Sequence, residues 1–155
     1  MSVLLAVDLG LRTGLALYGR DGRLIWYRSQ NYASVKRLKS AVHGILRDPP
    51  GIAHLVIEGG GQLADVWIKA ADRRGITVHQ ISAETWREAF LYPRDQRSGP
   101  QAKKNAGVLA KQVIQWSGAK RPTSLRHDAA EAVLAGLWGV IRVGWLGRLP
   151  DAVKH

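Results

Sequence analysis

The sequence predicts an α/β fold: one five-stranded mixed sheet, three antiparallel strands and then parallel βαβ units, flanked by helices. Three observations predict it. Five short apolar runs bounded by turn residues have strand length. The first three follow one another closely, and "GRDGR" between the second and third holds the Asp21-Gly22 signal of a tight hairpin. After residue 32, helical-period segments alternate with the remaining strands.

Each element follows from its residues. Val3 to Asp8 is a short buried strand, and Thr13 to Gly19 and Arg23 to Ser29 complete the meander. Ala33 to Asp48 is an amphipathic helix, with Val35, Leu38, Val42 and Ile45 on one face, and Pro49-Pro50-Gly51 stops it. "AHLVIEGGG" is a buried strand ending at Glu58. Leu63 to Arg74 is a helix closed by Gly75, and Ile76 to Ile81 is the fifth strand. Ser82 opens a short helix to about Leu91, although Ser82-Ala83-Glu84-Thr85 is only a partial capping box. Tyr92 to Pro100 is a polar, basic loop, Gln101 to Ser117 a helix, and Gly118 to Leu125 a second basic loop. His127 to Val143 is a long, largely apolar helix. Trp26, Trp86, Trp116 and Trp138 lie on amphipathic or apolar elements and read as core, whereas Trp145 has no periodic context. The expected organisation is one domain over residues 1–143 and a C-terminal tail over 144–155.

A chain of 155 residues is long enough to bury roughly 70% of its unfolded surface. No run of 18 apolar residues occurs, so no membrane partner is expected. Cysteine is absent, which excludes a disulfide framework and a thiolate metal site. No basic leader segment precedes Asp8, and the expected location is the cytoplasm. The single Met and two Asn fit a thermophilic source and a GC-rich genome equally.

The net charge of +11 points first to nucleic acid and second to an anionic membrane surface. The charge is uneven. Arg94 to Arg126 holds eight basic residues and one acid, a local +7, while Gly51 to Pro93 holds four basic and five acidic residues. A cationic patch therefore sits beside a nearly neutral body.

The carboxylates carry the chemistry. "LAVD" ends at Asp8 and "LVIE" at Glu58, so two apolar strands both finish in an acid. Adjacent and parallel, they would set two like charges at one sheet edge, at a cost in stability unless a cation lies between them. Asp128 and Glu131 are spaced i, i+3 near the start of the last helix and share a face, which small Ala135 and Gly139 continue. Alone, Asp128 reads as a helix N-terminal acid and Asp8 as a turn former. Together, four acids at the ends of apolar elements point to a metal. Oxygen ligands without Cys or a paired-His motif favour Mg²⁺ or Mn²⁺. His127 reads equally as an extra ligand or a helix cap.

These residues resemble the RuvC family of Holliday junction resolvases, in the ribonuclease H-like superfamily. "AVDLGLRTG", "LVIEGG" and "HDAAEAVLAGLW" carry the resemblance, in order, from about Val3 to Trp138. It implies a ribonuclease H-like fold and four metal-binding carboxylates at Asp8, Glu58, Asp128 and Glu131. It implies two Mg²⁺ ions, with Mn²⁺ as a substitute, and no small-molecule cofactor. It implies a homodimeric, Mg-dependent crossover junction endodeoxyribonuclease, a hydrolase of DNA recombination and repair that cuts four-way junctions by two symmetric nicks. A catalytic lysine at Lys104 or Lys103 is implied, and the stripe Leu63, Val66, Trp67 and Ala70 is the implied dimer face, the alternative being that the stripe packs on the chain's own sheet; the sequence does not separate the two. Many relatives carry Asp where Glu131 stands. Where bacterial relatives often place a base-stacking aromatic, this chain has Gly61, which moves that role to Trp67 or to the loop after Leu91. A phage or thermophilic prokaryotic source is compatible with these departures.

The expected DNA contacts are Arg12, Arg94, Arg97, Lys103, Lys104, Lys120, Arg121 and Arg126 on phosphates, with Gly60 and Gly61 admitting the backbone closely. The serious rival is a related nuclease acting on other branched DNA or on RNA, because the acids specify chemistry and not substrate. "DLGLRTG" and "EGGG" also look like the phosphate loops of an actin-like phosphotransferase, but that architecture needs two such domains.

Overall fold

The computed structural model describes residues 2–153. Its strands are β1 (Val3–Asp8), β2 (Arg12–Gly19), β3 (Leu24–Asn31), β4 (Ile52–Glu58) and β5 (Thr77–Ile81). They form one sheet in the order β3-β2-β1-β4-β5. The β3-β2-β1 part is antiparallel, and β1-β4 and β4-β5 are parallel. The hairpin turns where expected: Gly22 adopts φ +81°, and Asp21 Oδ1 accepts the Arg23 N–H at 3.0 Å.

Five helices cover the sheet: α1 (Val35–Arg47), α2 (Gln62–Arg73), α3 (Ala83–Phe90), α4 (Gly99–Ser117) and α5 (His127–Arg142). Ser34 and Ser98 cap α1 and α4, each hydroxyl accepting a backbone N–H three residues on. Ser82 stands at the N-cap of α3 without a side-chain capping bond. Element boundaries differ from the sequence expectation by one or two residues. α4 begins at Gly99, because Ser98 caps it ahead of Pro100, and the basic loop before it contains a 3-10 turn, Pro93–Gln96. In α1 the buried residues are Leu38, Val42 and Leu46, with Val35 and Ile45 at the margin.

The alternation of each strand sorts the core into two layers. Val3, Leu5, Val7, Leu55 and Ile57 pack under α1 and α2. Leu4, Ala6, Tyr18 and Val56 pack on the other side, under α4 and α5. α5 lies very close to the sheet, and glycines permit it. A Cβ at Gly136 would come within 2.3 Å of the Tyr18 ring, and one at Gly139 within 2.7 Å of Val56. The segment after α5 packs on the same layer: Val153 is fully buried, and Trp145 meets the His54 ring edge-on at 5.5 Å. No helix among the described residues is long and apolar enough to cross a membrane.

Candidate active site

One row of residues runs across the sheet at the C-terminal ends of β1 and β4. Glu58 of β4 pairs with Asp8 of β1, Asp8 with Gly14 of β2, and Gly14 with Ser29 of β3. "LAVD" and "LVIE" are therefore in register as well as similar, and their two acids are direct neighbours. Strand alternation turns both toward the α4/α5 side, because Ala6 and Val56, two residues back, belong to that layer.

α5 crosses this row at Gly14. A Cβ there would sit 2.0 Å from the Asp128 carbonyl oxygen, so only glycine lets the start of the helix come down onto the sheet. One turn further on, Glu131 joins the strand acids. Asp8, Glu58 and Glu131 each offer a carboxylate oxygen within 4.8 Å of the others, the one such cluster of potential metal ligands among the described residues. Asp128 is placed differently: its Oδ2 accepts the Ser29 hydroxyl at 2.8 Å, and its Oδ1 accepts its own helix's Ala129 N–H. The structure thus brings three of the four expected acids together and ties the fourth to β3.

The cluster is electrostatically costly as it stands. Burial, reinforced by Glu58 and Glu131, pushes the Asp8 carboxyl far above the usual carboxylate range. Glu58, only 5% exposed, is pushed up by burial and by Glu131, and held back by its hydrogen bonds and by Arg87. Its Oε1 accepts from Trp86 Nε1 at 2.8 Å, while its Oε2 is buried without a partner. Such an orphaned carboxylate oxygen costs free energy unless a donor or a cation meets it. Hard oxygen donors, several formal negative charges and an unengaged buried oxygen fit a divalent cation such as Mg²⁺ or Mn²⁺.

Trp86, Arg87 and Ser29 were not legible as site residues, whereas His127 was a candidate from its sequence position. Trp86 is core, as expected, and also the hydrogen-bond donor to Glu58. Arg87 Nη2 lies 3.3 Å from Glu131 Oε1, and His127 Nε2 lies 3.2 Å from Glu131 Oε2. Ser29 holds Asp128. No motif marks Ser29 or Trp86; only the strand register and the packing of α3 beside α5 reveal them.

The expected DNA-contacting cations Arg12, Arg94, Arg97, Lys103, Lys104, Lys120, Arg121 and Arg126 are all exposed. Lys120, Arg121 and Arg126 line a cleft of about 420 Å³ together with Arg28 and Ser29 of β3. Gly60 is exposed, and Gly61 is the N-cap of α2 with φ +79°. Two expectations for α2 need correction. Trp67 is fully buried and cannot reach a base. Trp67 and Ala70 lie in the core under the sheet, with Leu63 and Val66 packed against it, so this stripe serves the monomer's own core. The loop after Leu91 does carry an exposed aromatic, Tyr92, with the Arg94 guanidinium 4.9 Å from its ring centre.

Comparison with solved structures finds the same fold. The chain matches Thermus thermophilus RuvC in complex with a Holliday junction substrate at a TM-score of 0.60 and 17% identity, over 93% of this chain and 97% of that one. It matches the yeast mitochondrial Holliday junction resolvase Ydc2 at a TM-score of 0.58 and 11% identity, over 92% of this chain and 81% of that one. No protein-family model and no curated protein sequence matches.

Proposed function

With the RuvC-like, ribonuclease H-like fold as premise, we infer that the chain is a divalent-metal-dependent endonuclease that cuts four-way DNA junctions. The observation that carries this reading is the convergence of Asp8, Glu58 and Glu131 around a buried, unengaged Glu58 oxygen. Metal ions held by these acids would supply Lewis-acid activation of water and charge stabilisation at a phosphodiester, with Mg²⁺ as the proposed ion.

The chain's own residues supply the rest. Asp8 and Glu58, fixed by the β1-β4 ladder, and Glu131, fixed by α5 on Gly14, are the proposed ligands. Asp128 is the proposed fourth, and it would exchange its Ser29 bond to serve. Lys104 or Lys103, exposed on α4, is proposed to face the scissile phosphate. Arg12, Arg94, Arg97, Lys120, Arg121 and Arg126 neutralise the flanking phosphates, Gly60 and Gly61 leave the backbone room to approach, and the loop after Leu91, which carries the exposed Tyr92 beside Arg94, is proposed to meet a base. A homodimer with isologous contacts would present two identical sites to a two-fold junction.

The test is side-by-side nicking of four-way, three-way, duplex and RNA–DNA hybrid substrates with Mg²⁺. Preferential paired nicking of the four-way junction, leaving 5′-phosphate and 3′-hydroxyl ends, is expected. Equal cutting of all four would overturn junction specificity and leave a general nuclease of the same fold. No cutting of any would overturn the enzyme reading itself.

A further inference from the structure

Two neighbouring residues of α3, Trp86 and Arg87, grip different members of the acidic cluster. Trp86 is fully buried, and its Nε1–H holds Glu58 Oε1 at 2.8 Å, leaving Oε2 as the unengaged oxygen. Arg87 leans over the Trp86 ring, its guanidinium carbon 5.5 Å from the ring centre, and places Nη2 3.3 Å from Glu131 Oε1. The Arg87 side chain is 24% exposed and that of Glu131 12%, so water screens this pair only in part. Arg87 Nε is buried and unpartnered, so the guanidinium is not fully satisfied where it sits. A guanidinium that pairs imperfectly with a carboxylate, beside two further carboxylates, is placed as a counter-ion and not as a structural strut.

We propose that Arg87 is the resident counter-ion of the acidic site: it occupies Glu131 while no divalent cation is bound and is displaced when one binds, whereas Trp86 is a positioning residue that fixes Glu58. This rests on the metal-dependent reading above. A metal ion and a guanidinium compete for the same lone pairs on Glu131. Arg87 therefore lowers the affinity of the free protein for metal, and metal binding releases a fixed positive charge beside the place where a phosphate would lie. His127 Nε2 meets the other Glu131 oxygen at 3.2 Å, so Arg87 and His127 hold opposite oxygens of the same carboxylate.

The experiment is a calorimetric titration of the DNA-free protein with Mn²⁺. Arg87→Met is expected to bind Mn²⁺ about threefold to tenfold more tightly than the wild type, the scale of losing one partly screened charge. Arg87→Lys should stay near wild type. Trp86→Phe should bind more weakly, because Glu58 loses its anchor, so the two neighbours move affinity in opposite directions. Glu131→Gln should erase the gain from Arg87→Met in a double-mutant cycle. Weaker or unchanged binding by Arg87→Met overturns the proposal, since a strut would lose affinity on removal. Should Arg87→Met not fold, Arg87→Gln gives the same readout with the same two outcomes. No Mn²⁺ binding by the wild type would instead overturn the metal reading itself.

Discussion

The two faces of the sheet are built from the same strands and have opposite characters. Under α1 and α2, the odd positions of β1 and β4 are apolar to the strand ends: Val3, Leu5, Val7, Leu55 and Ile57. Under α4 and α5, the even positions begin apolar, with Leu4, Ala6 and Val56, and finish in Asp8 and Glu58. One face stores stability, and the other gives some of it up at its edge to gather like charges. A one-residue offset along the strand separates the two roles.

The sharpest way to break this contrast is to neutralise one acid. Asp8→Asn keeps the size of the side chain and removes a charge from a site where burial already disfavours it. Junction cleavage should fall by about three orders of magnitude or more, the scale of losing metal-ion catalysis. The metal-free protein should become more stable, read as a higher melting temperature at pH 8. A loss of both activity and stability would show Asp8 to be structural. On the opposite face, Leu55→Ala removes a fully buried side chain three strand positions from the same row of residues. It should cost about 2–5 kcal/mol in denaturant unfolding, while cleavage per folded molecule stays near wild type. An unfolding midpoint unchanged by Leu55→Ala would deny the α1/α2 face its structural role.

The pH dependence of the metal-free protein sharpens the same comparison. In the folded state burial and mutual repulsion raise Asp8 to about 9 and Glu58 to about 7. From ordinary carboxylate pH up to those values, the folded protein holds protons that the unfolded chain has released. Linkage then makes stability fall as pH rises from about 5 to 9. Asp8→Asn should flatten that fall when melting temperatures are compared across the range. His54 and His79, lowered mainly by burial, tilt the curve the other way below about pH 6.5, but they are common to both proteins and drop out of the difference. Parallel pH curves for the two proteins would remove the electrostatic account of the cluster.

Much of this was readable in the chain because it depends on local periodicity. The five strands, the hairpin at Asp21-Gly22 and the twin strand ends "LAVD" and "LVIE" are short-range patterns, and the structure reproduces them. The face that Asp128 and Glu131 share with small Ala135 and Gly139 was legible from spacing alone, but not that Gly139 and the unremarked Gly136 would bring the helix against Val56 and Tyr18. What stayed hidden depends on pairs far apart in sequence. Gly14 reads as an ordinary residue of the second strand, yet it is the position that receives the Asp128 backbone. Ser29 lies 99 positions from the Asp128 that it holds, and Trp86 lies 28 from Glu58. The stripe on α2 shows the limit of periodicity: an apolar face states that it will be buried, not by what, and here the sheet itself buries Trp67.

The gentlest probe asks which face the DNA meets. The α4/α5 side carries Lys120, Arg121 and Arg126 around the cleft beside Ser29, whereas Lys39, Lys69 and Arg73 line a separate cleft between α1 and α2. Each phosphate contact removed should reduce the slope of log affinity against log salt by about one unit for duplex arms. Arg121→Ala should therefore weaken junction binding and flatten that slope, whereas Lys69→Ala should leave both unchanged. Because both side chains are exposed, neither substitution should change the unfolding free energy by more than about 0.5 kcal/mol, which separates binding from folding. Equal flattening by the two substitutions would mean that the DNA wraps both faces, and the division of the sheet into a storage face and a working face would fail for the substrate even if it held for the acids.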